Sequence, residues 1–179
     1  ESRSDQTICL AVSPALKAIG EPSRPRLFEA KQAIQDYERL HHTKVQYEIA
    51  VPRMAEYERV SALIYSIILR YAAPCDVHVY SIDECFVYCP DPDDKTVNCQ
   101  LSIVNYKEWG EELHKKIRRN VGIPVSIGLA PNKTLAKMAS HFAKKYQGYR
   151  HCCMIDTDEK RIKALKLYPI DELWGIGRR

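Results

Sequence analysis

The chain has 179 residues, enough to bury a hydrophobic core as one domain or as two small ones. Its 27 Lys and Arg against 23 Asp and Glu give a net charge of +4, which is too mild to identify a nucleic-acid-binding protein by itself. No apolar run approaches the roughly 20 residues that span a bilayer, and the start has no signal-peptide pattern.

Seven cysteines form no C-x-x-C pair, so the spacing gives no zinc site, and their odd number favours reduced thiols in the cytoplasm. Cys152 and Cys153 are adjacent in a strand-like run. Because neighbouring residues on a strand point to opposite faces, we expect two buried thiols and not a redox pair.

Hydrophobic periodicity predicts an alternation of strands and helices along the chain. The predicted elements are strands over Thr7–Val12 and Val45–Val51, helices over Arg26–Leu40 and Met54–Tyr71, a strand or hairpin over residues 77–88, a polar loop over Pro90–Asn98, a helix over Tyr106–Val121, a short strand and helix over Ser126–Ser140, and a helix over Thr157–Leu165. No Gly-rich nucleotide fingerprint follows any strand, which favours an α+β fold over a doubly wound sheet.

Two adjacent acids, Asp83 and Glu84, interrupt the strand-like run from Tyr80 to Phe86. Acidic residues are depleted in strands, and a fold accepts them most readily where they hold a metal. Carboxylate oxygens are the usual protein ligands of Mg²⁺. An exposed turn at the tip of a hairpin is the alternative interpretation of this segment.

A helix is predicted to begin after Pro131 and Asn132, which places Lys133 in its first turn. The helix dipole and the unpaired backbone N–H groups already favour an anion there, so a lysine does not stabilise the helix. Lys133 is therefore a candidate phosphate ligand, with a solvated surface lysine as the alternative.

Four stretches resemble motifs of the Y-family translesion DNA polymerases, most closely the UmuC-like branch. Arg53–Ser61 is similar to the family's palm helix, and Tyr80–Phe86 to its Ser-x-Asp-Glu-Ala-Phe/Tyr signature. Ser126–Ser140 resembles its Gly-x-x-x-Asn-Lys-x-x-Ala-Lys-x-Ala block, and Ile170–Gly177 the opening of its helix-hairpin-helix thumb. All four occur in the family's order and at similar spacing.

The resemblance implies an α+β polymerase palm with a small fingers subdomain and a truncated helical thumb. We expect a partial fingers subdomain over residues 1–51, a palm over 52–155 and the start of the thumb over 156–179. The family's first catalytic Asp has no convincing counterpart, and the chain aligns without the C-terminal DNA-gripping domain. We therefore expect an inactive fragment of a longer polymerase.

The resemblance also implies a chemistry, the transfer of a nucleotide to a primer 3′-hydroxyl with two Mg²⁺ ions. Two metals can activate the attacking hydroxyl and neutralise the leaving oxygens. By resemblance, Asp83 bridges both metals and Glu84 binds the one that activates the primer. Lys133 contacts the deoxynucleoside triphosphate, and Gly175 and Gly177 offer backbone amides to primer-template DNA.

One departure from the family concerns the triphosphate contacts in the fingers. The family has Ser-Tyr-Glu-Ala-Arg-x-x-Gly where this chain has the stretch from Ser13 to Gly20. Lys17 takes the place of the arginine and keeps a point charge without the planar two-pronged contact. Pro14 removes the tyrosine hydroxyl. A surface lysine is the alternative interpretation of Lys17.

Two rival functions stay open, a nucleotide cyclase on a related palm and a non-catalytic DNA-binding or scaffold protein derived from a polymerase. The thumb-like segment disfavours the first, and the retained Asp83, Glu84 and Lys133 disfavour the second. For a polymerase of DNA repair and the SOS response, the partner could be a sliding clamp, a recombinase filament or a UmuD-like subunit, and the sequence does not distinguish them.

Overall fold

A computed structural model describes residues 4–20, 24–89, 105–145, 151–170 and 173–176 of the chain. By its internal contacts the chain divides into two compact units, Glu1–Arg53 and Met54–Arg179. The predicted polar loop over Pro90–Asn98 lies outside the described residues. Within the described part, no helix has both the length and the apolar character required to cross a membrane.

The described elements mix helices and strands, as the α+β prediction requires. The first unit contains α1 (Pro14–Ala18) and α2 (Leu27–His41). The second contains α3 (Met54–Ile68), β1 (Val77–Ser81), β2 (Glu84–Val87), α4 (Tyr106–Val121), β3 (Ile127–Leu129), α5 (Lys133–Lys145), β4 (Cys152–Met154) and α6 (Asp158–Leu167), with a short 3₁₀ turn at Pro74–Asp76.

The two strands predicted in the first unit are wrong. Thr7–Val12 makes a single bridge, between Ile8 and Arg26. The pairing cannot extend, because Pro25 has no N–H to donate and α2 begins at Leu27. Val45–Val51 is assigned neither helix nor strand and has no pairing partner among the described residues, and its apolar side chains Tyr47, Ile49 and Val51 are exposed.

In the second unit, β1 and β2 form an antiparallel hairpin with an irregular register at Tyr80. Val79 pairs with Cys85 and Ser81 with Glu84, so Tyr80 is an extra residue on β1. At the base of the hairpin Val77 pairs with Val87. Both valines pack on a core cluster from α3 and α4, made of Ile67, Ile68, Leu113 and Ile117.

A second, parallel pair of strands, β3 and β4, is joined through α5. The two cysteines of β4 point to opposite faces of the pair, as predicted. The Cys152 thiol lies next to Gly110 of α4, whereas Cys153 belongs to a core cluster with residues of α5 and α6. Both are buried, which confirms the prediction of buried thiols.

Most predicted helices are confirmed, with small changes at their ends. α4 has the predicted bounds, and its N-cap Asn105 accepts from two backbone N–H groups. Asn132 caps α5 and Thr157 caps α6. The helix predicted to reach Tyr71 ends at Ile68, because the chain leaves it through turns before Pro74.

Candidate acidic site on the hairpin

The two adjacent acids lie at the tip of the β1–β2 hairpin. Asp83 is in the turn and Glu84 is the first residue of β2, and both are exposed. The Ser81 hydroxyl donates to the Asp83 carboxylate at 2.7 Å, which orients that side chain. The structure therefore places the acids on an exposed hairpin tip, where a cation can reach their oxygens.

Two lysines of α5 lie against the face of β2 that carries Glu84 and Phe86. Lys137 donates to both Glu84 carboxylate oxygens, at 3.0 and 2.8 Å. One helical turn earlier, the Lys133 Nζ lies 5.5 Å from the centre of the Phe86 ring. The spacing of the two lysines along α5 matches the spacing of Glu84 and Phe86 along β2, because four helical residues advance about 6 Å and two strand residues about 6.6 Å. Lys133 therefore lies over Phe86, and Lys137 bonds to Glu84.

Three aromatic side chains cover the same face of the hairpin. The Tyr80 and Phe86 rings are 6.0 Å apart, and Trp174 lies 5.5 Å from Tyr80 and 5.6 Å from Phe86. The Trp174 indole N–H donates to the Tyr80 hydroxyl at 3.2 Å. The segment around Trp174 is thereby fixed against the hairpin that carries the acids.

The donor atoms of this site suit a hard divalent cation, but they are few. Asp83 and Glu84 offer carboxylate oxygens, the ligand type that Mg²⁺ prefers. Within the described residues, no cluster of three or more His, Cys, Asp or Glu side chains could enclose a metal. The two acids can therefore supply only part of a ligand set, with water, substrate oxygens or further carboxylates completing it.

The other predicted site residues are placed as follows. Lys133 is the first residue of α5 and belongs to the acidic site. Lys17 is an exposed residue of α1 in the first unit. Gly175 has a φ of +89°, a left-handed conformation that suits glycine. Gly177 lies outside the described residues. The nucleotide and DNA contacts of these residues remain predictions.

Sequence reasoning assigned no role to three side chains of this site, Lys137, Tyr80 and Trp174. Lys137 follows Lys133 by four residues, so helical spacing alone would have placed it on the same face. Tyr80 lies beside the acids in the strand-like run. Trp174 is 94 residues from Tyr80, and no local pattern could have paired them.

Known proteins resemble this chain in sequence. A sequence model described as the impB/mucB/samB family (IMS) matches residues 1–141. The protein MucB of Escherichia coli is 32% identical over 103 residues, which are 58% of this chain and 23% of that protein. DNA polymerase IV of Corynebacterium diphtheriae is 30% identical over 158 residues, covering 88% of this chain and 32% of its own length. The chain therefore spans less than half of the length of these relatives.

A solved structure gives the same fold. The insertion ternary complex of Dbh DNA polymerase superimposes with a TM-score of 0.65 at 22% identity, covering 92% of this chain and 41% of that one. At this identity the likeness establishes the fold alone. It confirms the predicted α+β class with the polymerase architecture.

Proposed function

Because the chain belongs to the impB/mucB/samB family of Y-family polymerases, we propose that it carries the fingers and palm of a DNA-directed DNA polymerase for translesion synthesis and DNA repair. The observation that carries the proposal is the pairing of the acidic hairpin tip with the basic face of α5. Asp83 and Glu84 lie at the tip and Lys133 and Lys137 beside it. The four residues belong to Tyr80–Phe86 and Ser126–Ser140, two of the stretches that resemble motifs of the family.

In the proposed reaction a primer 3′-hydroxyl attacks the α-phosphorus of a deoxynucleoside triphosphate and pyrophosphate leaves. Asp83 and Glu84 hold divalent ions, for which we propose Mg²⁺, and bound metal would activate the hydroxyl and neutralise the leaving oxygens. Lys133 and Lys17 contact the triphosphate. Gly175 and Gly177 present backbone N–H groups to the DNA phosphates.

We further propose that the first unit corresponds to the fingers and the second to the palm followed by the start of the thumb, with subdomains over residues 1–51, 52–155 and 156–179. The proposed location is the cytoplasm, where reduced thiols are stable. A sliding clamp, a recombinase filament and a UmuD-like subunit are the candidate protein partners that accompany this proposal.

The test is Mg²⁺-dependent primer extension by the full-length gene product and by its Asp83→Asn variant. We expect the variant to lose at least about a hundredfold in rate, roughly 2.7 kcal/mol of transition-state stabilisation, because a metal ligand is removed. Binding of primer-template DNA, measured by fluorescence anisotropy without metal, should be unchanged. Asp158→Asn is the matched control, since the Asp158 side chain on α6 is 84% exposed.

Equal extension by the parent protein and Asp83→Asn would contradict the proposal. If neither protein extends a primer and both still bind duplex DNA, the non-catalytic DNA-binding alternative is favoured. In that case Asp83 and Glu84 are structural acids of the hairpin.

A further inference from the structure

Lys137 bonds to both carboxylate oxygens of Glu84. Its ammonium group donates to both oxygens, at 3.0 and 2.8 Å, and joins residues that are 53 positions apart in the chain. The pair is partly shielded, with 28% of the Lys137 side chain and 45% of the Glu84 side chain exposed. A metal cation that binds the Glu84 oxygens must compete with the Lys137 ammonium group, which is already bonded to them.

Two aromatic rings hold the same ammonium group in place. Lys137 Nζ lies 4.8 Å from the Tyr80 ring centre and 5.6 Å from that of Trp174. A cation over an aromatic face is attracted by the ring's quadrupole. The hydrogen bond from Trp174 to the Tyr80 hydroxyl fixes the two rings relative to each other.

We expect this arrangement to make the Lys137–Glu84 pair stronger than an ordinary exposed ion pair. Most exposed pairs contribute little, because a flexible lysine loses conformational entropy when it is fixed. Here the rings restrict Lys137 whether or not it bonds to Glu84, so less additional entropy is lost in the pairing. Without a metal, the Lys137 ammonium group offsets the charge of Glu84, while Asp83 keeps its negative charge and accepts a hydrogen bond from Ser81.

We propose that Lys137 is a positioning residue, the resident counter-ion of Glu84, which the rings of Tyr80 and Trp174 hold in place and which a divalent cation must displace to bind Glu84. The inference rests on the proposed function in one respect, namely that Glu84 is a metal ligand. It goes beyond that function in one respect: the position of Trp174 affects how tightly the acidic site binds a metal, because Trp174 holds the competing lysine in place.

The test is a Mn²⁺ titration of the full-length gene product followed by electron paramagnetic resonance, without nucleotide or DNA. Lys137→Met should bind Mn²⁺ about three- to tenfold more tightly, because the competing charge is gone. Trp174→Leu should tighten binding by about twofold, because one ring that holds the lysine is lost. In the Lys137→Met background Trp174→Leu should have no further effect, since its action passes through Lys137.

Two more variants complete the experiment. Lys163→Met removes one charge from the exposed face of α6 and should leave the Mn²⁺ affinity unchanged, and thermal melting checks that every variant is folded. Glu84→Gln should weaken Mn²⁺ binding. In the parent protein the Lys137 methylene protons should be shifted upfield by the rings in the NMR spectrum, and Trp174→Leu should reduce that shift.

The failures are distinguishable. If Glu84→Gln weakens Mn²⁺ binding and Lys137→Met does not tighten it, the counter-ion role is overturned and the proposed function stands. If Glu84→Gln leaves Mn²⁺ binding unchanged, Glu84 is not a metal ligand, and the counter-ion role is overturned together with that one part of the proposed function. The polymerase proposal itself is decided by the primer-extension test of Asp83→Asn. An effect of Trp174→Leu that persists without Lys137 would refute the role of the rings.

Discussion

At the scale of single residues, the buried cysteines provide a direct test of the packing around β4. Burial raises the pKa of the Cys152 thiol to about 11, with a smaller contribution from the negative charge of Glu111, and burial also raises the pKa of Cys153. Both side chains are almost fully inaccessible, whereas Cys75 is exposed. Thiolates and not thiols react with alkylating agents.

We therefore predict that iodoacetamide at pH 8 modifies Cys75 at least about tenfold faster than Cys152 or Cys153, because the latter are both protonated and shielded. Peptide mass spectrometry over a time course measures the three rates. In urea the difference should disappear. Similar rates in the folded protein would show that β4 is not buried between α4 and the α5–α6 cluster.

The raised pKa of Cys152 leads to a prediction about how stability depends on pH. The folded pKa of Cys152 is above its usual value of 9.0, so the unfolded chain loses this proton at a lower pH than the folded chain does. The protonated Cys152 thiol therefore contributes to the free energy of unfolding in full below about pH 9, and this contribution is lost as the pH rises toward 11. Urea unfolding at pH 8 and 10 should show a larger loss of stability in the parent protein than in Cys152→Ala, and equal losses would contradict the raised pKa.

Local spacing decided which site residues the sequence could reveal. Asp83 and Glu84 were identified because two adjacent acids contradict a strand pattern, and Lys133 because it stands in the first turn of a predicted helix. The partner of Glu84 was not identifiable, since Lys137 is 53 residues away. Only the tertiary fold brings α5 alongside β2.

At the scale of elements, Gly128 determines how closely α5 lies over β3. A Cβ built at this position would overlap the backbone of Ala136 and Ser140. The Ser126 and Ser140 hydroxyls bond across the same contact at 3.1 Å. The helix and strand can approach this closely only because no side chain stands between them.

We predict that Gly128→Ala lowers the free energy of unfolding by about 2–4 kcal/mol, because the added methyl group pushes α5 away from β3. Gly122→Ala is the matched control. Gly122 has a φ of +81° and open space around it, so that change should cost only about 1 kcal/mol of conformational strain. Urea denaturation gives both values. Similar losses in the free energy of unfolding would show that the close contact between α5 and β3 does not exclude a side chain at Gly128.

Helices were predicted better than strands, for a physical reason. The bounds of α4 follow from its own periodicity and from its caps at Asn105 and Gly122. A strand requires a partner that the local sequence does not contain. Thr7–Val12 and Val45–Val51 have suitable composition but lack a paired neighbour among the described residues beyond the single bridge at Ile8.

At the scale of the whole molecule, both described core clusters lie in the second unit, whereas the first unit buries Ala30 and Ile34 of α2. Both described core clusters draw their residues from positions 64–173, one from α3, α4 and the strands beside them, the other from α5, β4 and α6. The motifs that resemble the palm and thumb all lie from Arg53 onward, in the same part of the chain, and the subdomain boundaries stay predictions. The sequence did not reveal that α4 and α5 cover opposite faces of the β3–β4 pair, since that depends on which face each cysteine of β4 takes.

The segment over residues 43–53 leads to a prediction about how the chain is cut. It is neither helix nor strand, the Lys44 side chain is 92% exposed, and Val51 is 71% exposed. Such a segment adapts readily to a protease active site. We predict that, among the sites in the described residues, limited trypsin treatment cuts first after Lys44 and Arg53.

The product that begins at Met54 should remain folded, because it keeps both core clusters together with the helices and strands that form them. Mass spectrometry identifies the cuts, and circular dichroism of the purified product should show helical signal and a cooperative melt. The double variant Lys44→Gln, Arg53→Gln should resist cleavage in this segment without a change in its melting temperature, since both side chains are exposed. A product without a cooperative melt would mean that residues 54–179 depend on the preceding residues for their stability.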